Sequence, residues 1–329
     1  MAVSIPSIKF AGLPASSFGS LAEKALRVVG LPLAGIAMFL LIWHLAASGI
    51  ETSLGKFPGP AQVLEQTQGL IVEFQEEKQR EAEFYERQDK RNAMMLEKDP
   101  AFKAQVRDYP GKPMFFHQIG TSLKTVFTGF FLAALVAIPL GIAIGLSTTL
   151  YNAFNPLIQL FKPVSPLAWL PLVTIVVSSI YINVHPEIPK SYVTSAVTVM
   201  LCCLWPTVLN TAVGVASVSS DLNNVSRVLR LNWMRHVRII VLPAAVPMIF
   251  TGLRLSLSTA WMVLIAAEML SQNPGLGKFV WDEFQNGSSD SLGRIMVAVL
   301  TIGIIGYLLD RGMLVLQRRV SWDKQAVTR

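Results

Sequence analysis

The sequence predicts an all-α membrane protein with about six transmembrane helices. Three observations predict it. Mean hydropathy is +0.48 and 52% of the 329 residues are hydrophobic, more than a soluble domain of this length needs for its core. Only 15% of the residues are charged. The apolar residues gather into runs of roughly 17 to 25, the length of helix that crosses the hydrocarbon of a bilayer.

The runs lie at 29–49, 123–147, 166–183, 192–213, 244–268 and 292–310. Lys24 and Arg27 precede the first and "AAS" follows it, a layout shared with secretory signals; its apolar stretch exceeds a signal core, which favours a retained helix. The second carries Gly141 and Gly145, a spacing that lets two helices approach closely. The third is the shortest and contains Pro166 and Pro171. The fourth contains Pro206, whose freed backbone groups a neighbouring helix can satisfy, and the adjacent Cys202 and Cys203, which read as small buried hydrophobes without a disulfide partner.

Orientation follows from lysine and arginine near the ends of the runs. Lys9, Lys24 and Arg27 precede the first, a basic loop follows the fourth, and Arg311, Arg318, Arg319, Lys324 and Arg329 follow the sixth. With six crossings all three regions share one side, the cytoplasm. The chain then divides into a cytoplasmic N-terminal segment at 1–28, a first transmembrane helix at 29–49, an external charged insertion at 50–118, a core at 119–310 and a cytoplasmic tail at 311–329. The insertion is a polyampholyte of good helix formers up to Pro100, with Glu76 and Arg80, and Glu83 and Arg87, one turn apart. It reads either as a solvated helix or as a docking surface.

Several chemistries are excluded. The net charge of +7 is spread without a dense basic tract, which argues against nucleic acid. His44, His117, His185 and His236 lack metal-ligand spacing, so no metal is expected. "GLGKF" at 275–279 is no phosphate loop, because Gln272 and Phe279 stand where glycine and a hydroxyl residue are needed, so the chain itself binds no ATP.

The loop after the fourth run is the informative stretch. In "DLNNVSRVLRL", Leu222, Val225, Val228 and Leu229 share one side of a helix and Arg227 and Arg230 another. Asp221 is expected to cap its first turn, and Asn232 a second helix through Met234, Val237 and Val241 that stops at Pro243. An interfacial anchor helix would have this pattern too. The spacing to Ile240, Leu242 and Pro243 resembles the cytoplasmic EAA loop of bacterial ABC importer permeases. Asn224, Val225 and Ser226 stand where that pattern has Glu-Ala-Ala, and Arg230 where it has Gly. "FPGPAQVL", "AALVAIPLGIAIGLS", "FKPVSPLAWLPL", "IFTGLRLSLSTAWMVLIAAEML" and "NPGLGKFVWDEFQNG" are similar to the permeases for nitrate, bicarbonate, cyanate, taurine and sulfonates, and "NNVSRVLRLN", "FTGLRL" and "LLDRGM" most resemble the nitrate permeases.

The resemblance implies a type I ABC importer permease fold in the bacterial inner membrane, set in lipid and paired with a second copy of itself. It implies two ATPase subunits, which bind the ATP and Mg, and an external substrate-binding protein. The loop at 215–243 becomes the coupling element, carried by Asp221, Asn224, Val225, Ser226, Arg227, Val228, Leu229, Arg230, Ile240, Leu242 and Pro243. Arg230 then pairs with an acidic residue on the ATPase or with a lipid headgroup; both readings are open. Arg254, Trp261 and Glu268 recur every seven residues along one face of the fifth run. They either line the translocation path, with Arg254 attracting an anion, or tie helices together. An ATP-independent channel or secondary carrier explains the spans and Arg254 but not the loop. A membrane enzyme would need paired catalytic groups, which the spans do not offer.

Overall fold

The computed structural model describes residues 26–52, 55–99, 102–104, 106–181, 188–288 and 290–320. Most of the expected N-terminal segment, the last residues of the third run, His185 beyond it, and the tail beyond 320 with Lys324 and Arg329 lie outside the described residues. The contacts divide the chain into two compact units, Met1–Val63 and Leu64–Arg329.

In the first unit a π-helical turn, Leu26–Gly30, leads into α1, Leu31–Ser48. A two-residue hairpin follows, β1 (Glu51–Thr52) antiparallel to β2 (Gly55–Lys56). The indole N–H of Trp43 donates to the Pro58 carbonyl at 3.1 Å, fixing the chain that leads out of the membrane helix.

Helix α2 spans Pro60–Lys98, 39 residues, and ends where the sequence predicts, just before Pro100. The expected one-turn pairs form along it: Arg80 lies 3.4 Å from Glu76 and Arg87 4.0 Å from Glu83. The chain returns along this helix. The Arg107 N–H donates to Gln88 Oε1 at 2.8 Å, the Tyr109 N–H to the Tyr85 hydroxyl at 3.2 Å, and the Tyr109 hydroxyl to Glu77 Oε1 at 2.9 Å. The insertion is therefore a helix with its own strap.

The membrane core is built by α3 (Phe115–Leu146), α6 (Lys190–Ala216) and α9 (Leu242–Ser271). Helices α3 and α6 meet through small residues. A Cβ at Gly141 would lie 2.6 Å from Thr211 Cβ, and one at Gly145 2.6 Å from the Ala212 carbonyl, so the close contact read from "GIAIG" is present. Helix α9 packs on α6 where Pro206 interrupts the ladder. The Ser256 hydroxyl accepts from the Thr207 N–H at 3.1 Å and donates to the Cys203 carbonyl at 2.5 Å, standing in for a helical bond.

Among the described residues, five helical segments are long and apolar enough to cross a membrane: Leu26–Ser48, Phe115–Leu146, Lys190–Ala216, Trp233–Ser271 and Ser291–Val320. The third expected run is different. It forms α5, Pro166–Tyr181, only 16 residues, preceded by α4, Thr148–Phe161, at an angle of 100°. Pro163 and Pro166 lie at the bend, where the missing N–H groups and the clash of each ring with the preceding residue end one helix and start the next. The count is six when this bent pair is one crossing.

Four further helices finish the bundle. Short helices α7 (Ser220–Val228) and α8 (Trp233–His236) precede α9, α10 (Leu276–Asn286) lies at its far end, and α11, Ser291–Val320, runs back beside it. Gln317 of α11 reaches Thr251 Oγ1 of α9 at 3.2 Å, so the Arg318–Arg319 end of α11 and the basic loop lie at the same end of the bundle.

Candidate coupling loop and membrane path

Helix α7 is capped by Ser219, in extended backbone just before it, whose hydroxyl accepts the Leu222 N–H at 3.5 Å. The sequence pattern gave this cap to Asp221. Only the last extended residue can aim its side chain at the free amides of the first turn, so Ser219 takes the position and Asp221 lies inside the turn, where its charge favours the positive end of the helix.

The other end of α7 closes with two bonds. The Leu231 N–H donates to the Ser226 carbonyl and the Arg230 N–H to the Arg227 carbonyl, both at 3.1 Å. This is the Schellman arrangement, which requires left-handed backbone at the residue past the cap. That residue is Arg230, with φ 47°. The glycine of the EAA pattern thus has a backbone reason, and arginine here accepts a conformation that glycine adopts without strain.

Asn232 caps α8 as expected, its Oδ1 accepting the Arg235 N–H at 2.9 Å. His236 Nδ1 lies 2.8 Å from the buried Ser226 hydroxyl and clasps α8 to α7. The second helix was expected to stop at Pro243; it does not. A π-helical turn, Val237–Val241, carries α8 directly into α9. Pro243 sits in the first turn of α9, where its missing N–H and fixed φ do least harm, and the wider turn before it absorbs the change of ladder.

The loop is consequently anchored on one side and bare on the other. Val237, Ile240 and Val241 are buried, and Val241 packs with Val215, Ala245 and Ile249 against Ile138, Ile142, Leu146, Leu242 and Leu253. Asp221, Leu222, Asn224, Val225, Arg227, Leu229 and Arg230 are exposed, Val228 is 82% exposed, and Pro243 also faces outward.

The three residues of the α9 face all have partners inside the fold. Arg254 grips Asp310 of α11 with two bonds, Nε to Oδ1 at 2.5 Å and Nη2 to Oδ2 at 2.9 Å. The Trp261 indole N–H donates to the Ile302 carbonyl of α11 at 3.0 Å. Glu268 is fully buried. Its carboxylate lies within 2.9 Å of the Ser122 hydroxyl of α3 and accepts the Gly277 N–H at 3.0 Å, and the same hydroxyl accepts the Leu276 N–H at 2.9 Å. The seven-residue spacing does give one face, but that face is a packing seam. Polar groups inside a membrane core need partners, and these are spent on α11 and on the start of α10. Two sequence motifs, "FTGLRL" and "LLDRGM", meet in the Arg254–Asp310 pair. Sequence reasoning missed Asp310; a lone acid at the end of the sixth run opposite a lone arginine in the fifth was the available signal.

"GLGKF" is the start of α10. Gly277 lies so close to α9 that a Cβ there would sit 2.1 Å from the Ile265 carbonyl, so its backbone can reach Glu268 only without a side chain. Among the described residues no group of three or more His, Cys, Asp or Glu side chains is arranged to hold a metal ion.

Apolar helices packed through small residues, with an anchored amphipathic loop at one end, define a multi-pass membrane protein that keeps one surface open at the end of its bundle. The sequence matches the family described as binding-protein-dependent transport system inner membrane component over residues 137–322, and the chain belongs to it. It is 32% identical over 314 residues to the nitrate import permease protein NrtB of Leptolyngbya laminosa, covering 95% of each chain. It is 36% identical over 289 residues to the bicarbonate transport system permease protein CmpB of Synechococcus elongatus, covering 88% of each. To the taurine transport system permease protein TauC of Escherichia coli it is 31% identical over 206 residues, 63% of this chain and 70% of the other. The fold is that of type I ABC importer permeases: a chain of the inward-facing MetNI methionine ABC transporter superposes with a TM-score of 0.54 at 16% identity, covering 65% of this chain and 96% of that chain.

Proposed function

We propose that the chain is the permease subunit of an ATP-driven importer for a small inorganic anion, with nitrate as the cargo. The similarity to a nitrate import permease along 95% of both chains carries the choice of cargo. Bicarbonate is the second reading, favoured by the 36% identity to a bicarbonate permease. The working unit is two copies of this chain, two ATPase subunits and an external binding protein that selects the anion.

The loop is the coupling element in this reading. Leu222, Val225, Val228 and Leu229 enter a groove on the ATPase, and Arg230 pairs there with an acidic side chain, which sets partner specificity. Closure of the ATPase dimer on ATP pushes α7. The His236–Ser226 clasp and the unbroken passage of α8 into α9 turn that push into a shift of α9 against α3 and α6, a change of access by rigid-body movement. The arginines of the loop and of the end of α11 support a cytoplasmic position for that end of the bundle.

The cargo is tested in proteoliposomes holding this chain, its cognate ATPase and its binding protein. Nitrate uptake that needs ATP and resists excess taurine is the expected result. Uptake blocked by bicarbonate and indifferent to nitrate would transfer the cargo to the second reading, and uptake without ATP would overturn the coupled importer.

A further inference from the structure

An anion crossing the membrane needs groups that attract it without holding it, and Arg254 is neutralised by Asp310. Another pair of donors is free. The indole Nε1 atoms of Trp169 in α5 and Trp205 in α6 are shielded from solvent and have no hydrogen-bond partner among the described residues. Buried donors left unpaired are rare in native proteins, and each calls for an explanation in terms of what it meets in the working molecule.

The fold sets both rings against one residue, Phe161. The ring of Phe161, the last residue of α4, lies 5.9 Å from the Trp169 ring and 6.2 Å from the Trp205 ring, nearly parallel to the latter at 9°. The sharp bend between α4 and α5 returns the chain so that Phe161 and Trp169, eight positions apart, become neighbours. Trp205 stands well inside the membrane core, roughly 22 Å from the start of α6 and roughly 16 Å from its end at 1.5 Å per residue. Beside it is Pro206, where Ser256 bridges the Thr207 N–H and the Cys203 carbonyl and the α6 ladder lacks a bond of its own.

The chemistry of the cluster is selective. An indole N–H donates and cannot accept, so a pair of them suits an oxyanion and offers nothing to a cation. Neither group carries a formal charge, so the contact is weak enough to release what it binds. We propose that Trp169 and Trp205 are the oxyanion contacts of the translocation path, with Phe161 forming the apolar wall between them. The ligand is a small oxyanion of the nitrate or bicarbonate kind, and the proposal rests on the anion-import reading above.

The test replaces each tryptophan by β-(3-benzothienyl)alanine, which keeps the shape of the ring system and loses only the N–H, alongside Trp169→Phe and Trp205→Phe. ATP-dependent uptake of nitrate and of bicarbonate is measured in proteoliposomes with the complete transporter, and assembly with the ATPase is checked by size-exclusion chromatography. The expected result is normal assembly with uptake reduced about tenfold at each position, the order lost with one hydrogen bond to a charged group. Isosteric variants that assemble and transport like the wild type would overturn the proposal. A wild-type transporter that moves neither anion with ATP would overturn the import reading, and the proposal with it; that failure appears before any substitution is made and is thereby distinct.

Discussion

Arg230→Gly offers a sharp test of the loop, because backbone and side chain pull in opposite directions. At φ 47° Arg230 is in left-handed backbone, which costs an ordinary residue roughly 1 to 2 kcal/mol and glycine almost nothing. Glycine gives back roughly 0.5 to 1 kcal/mol through the greater freedom of its open state. The net is a closed turn more stable by about 0.5 to 1 kcal/mol, equivalent to roughly two- to fivefold slower opening-limited exchange of the Arg230 and Leu231 amides. Hydrogen exchange by mass spectrometry on a peptide covering 221–232, with the permease in nanodiscs, reads this directly. Arg230→Val is the counterpart and should exchange faster, since a β-branched side chain is worse in this backbone. Stimulation of the cognate ATPase should nevertheless fall in Arg230→Gly, because the charge proposed to pair with the ATPase is gone. Faster exchange in the glycine variant would refute the backbone argument, and unchanged ATPase stimulation would refute the pairing.

Other perturbations separate the seams of the bundle. Arg254→Gln leaves Asp310 unpaired between α9 and α11 and should cost roughly 1 to 3 kcal/mol, less than a fully buried pair because both partners are about a third exposed. The thermal midpoint in detergent should drop, and Arg254→Met with Asp310→Leu should recover most of it; a single variant as stable as the wild type would sink the clasp. Gly141→Val drives a Cβ into Thr211 and the Val208 carbonyl and should destabilise by roughly 1 to 3 kcal/mol, while Gly303→Ala, with nothing within 4 Å, should be neutral. In the strap, the hydroxyl of Tyr109 donates to Glu77, and this bond to a carboxylate raises the phenol above its ordinary value of 10.0. A folded value above the unfolded one means that the contact stabilises the strap fully below pH 10.0 and is lost as pH rises through the folded value. The absorbance titration difference between wild type and Tyr109→Phe should have a midpoint above 10.0 that falls toward it in Glu77→Gln; a midpoint at or below 10.0 in the wild type would contradict the bond.

Elements set by local pattern were legible in the sequence. The apolar runs gave the long helices because bilayer thickness dictates their length. The charged insertion gave α2, and Asn232 announced α8. What the sequence hid depends on partners distant in the chain. The Arg254–Trp261–Glu268 face reads equally as a path or as a tie between helices, because spacing shows which residues share a face and not what that face meets; Asp310, Ile302 and Ser122 lie 56, 41 and 146 positions away. The left-handed backbone at Arg230 was hidden by the residue itself, since arginine does not signal it as glycine does. Continuity through Pro243 was hidden because a proline in a first turn and a proline that stops a helix look alike until the preceding backbone is known.

Val228, 82% exposed on α7, gives the most direct access to the docking of the loop. In a background with Cys202 and Cys203 replaced by alanine, Val228→Cys is oxidised against single cysteines lining the groove of the cognate ATPase in the assembled transporter. A disulfide between the two subunits, with a yield that changes when ATP is added, is the predicted result. An assembled, transporting complex in which Val228→Cys cross-links to no ATPase position would contradict the assignment of the loop as the coupling element.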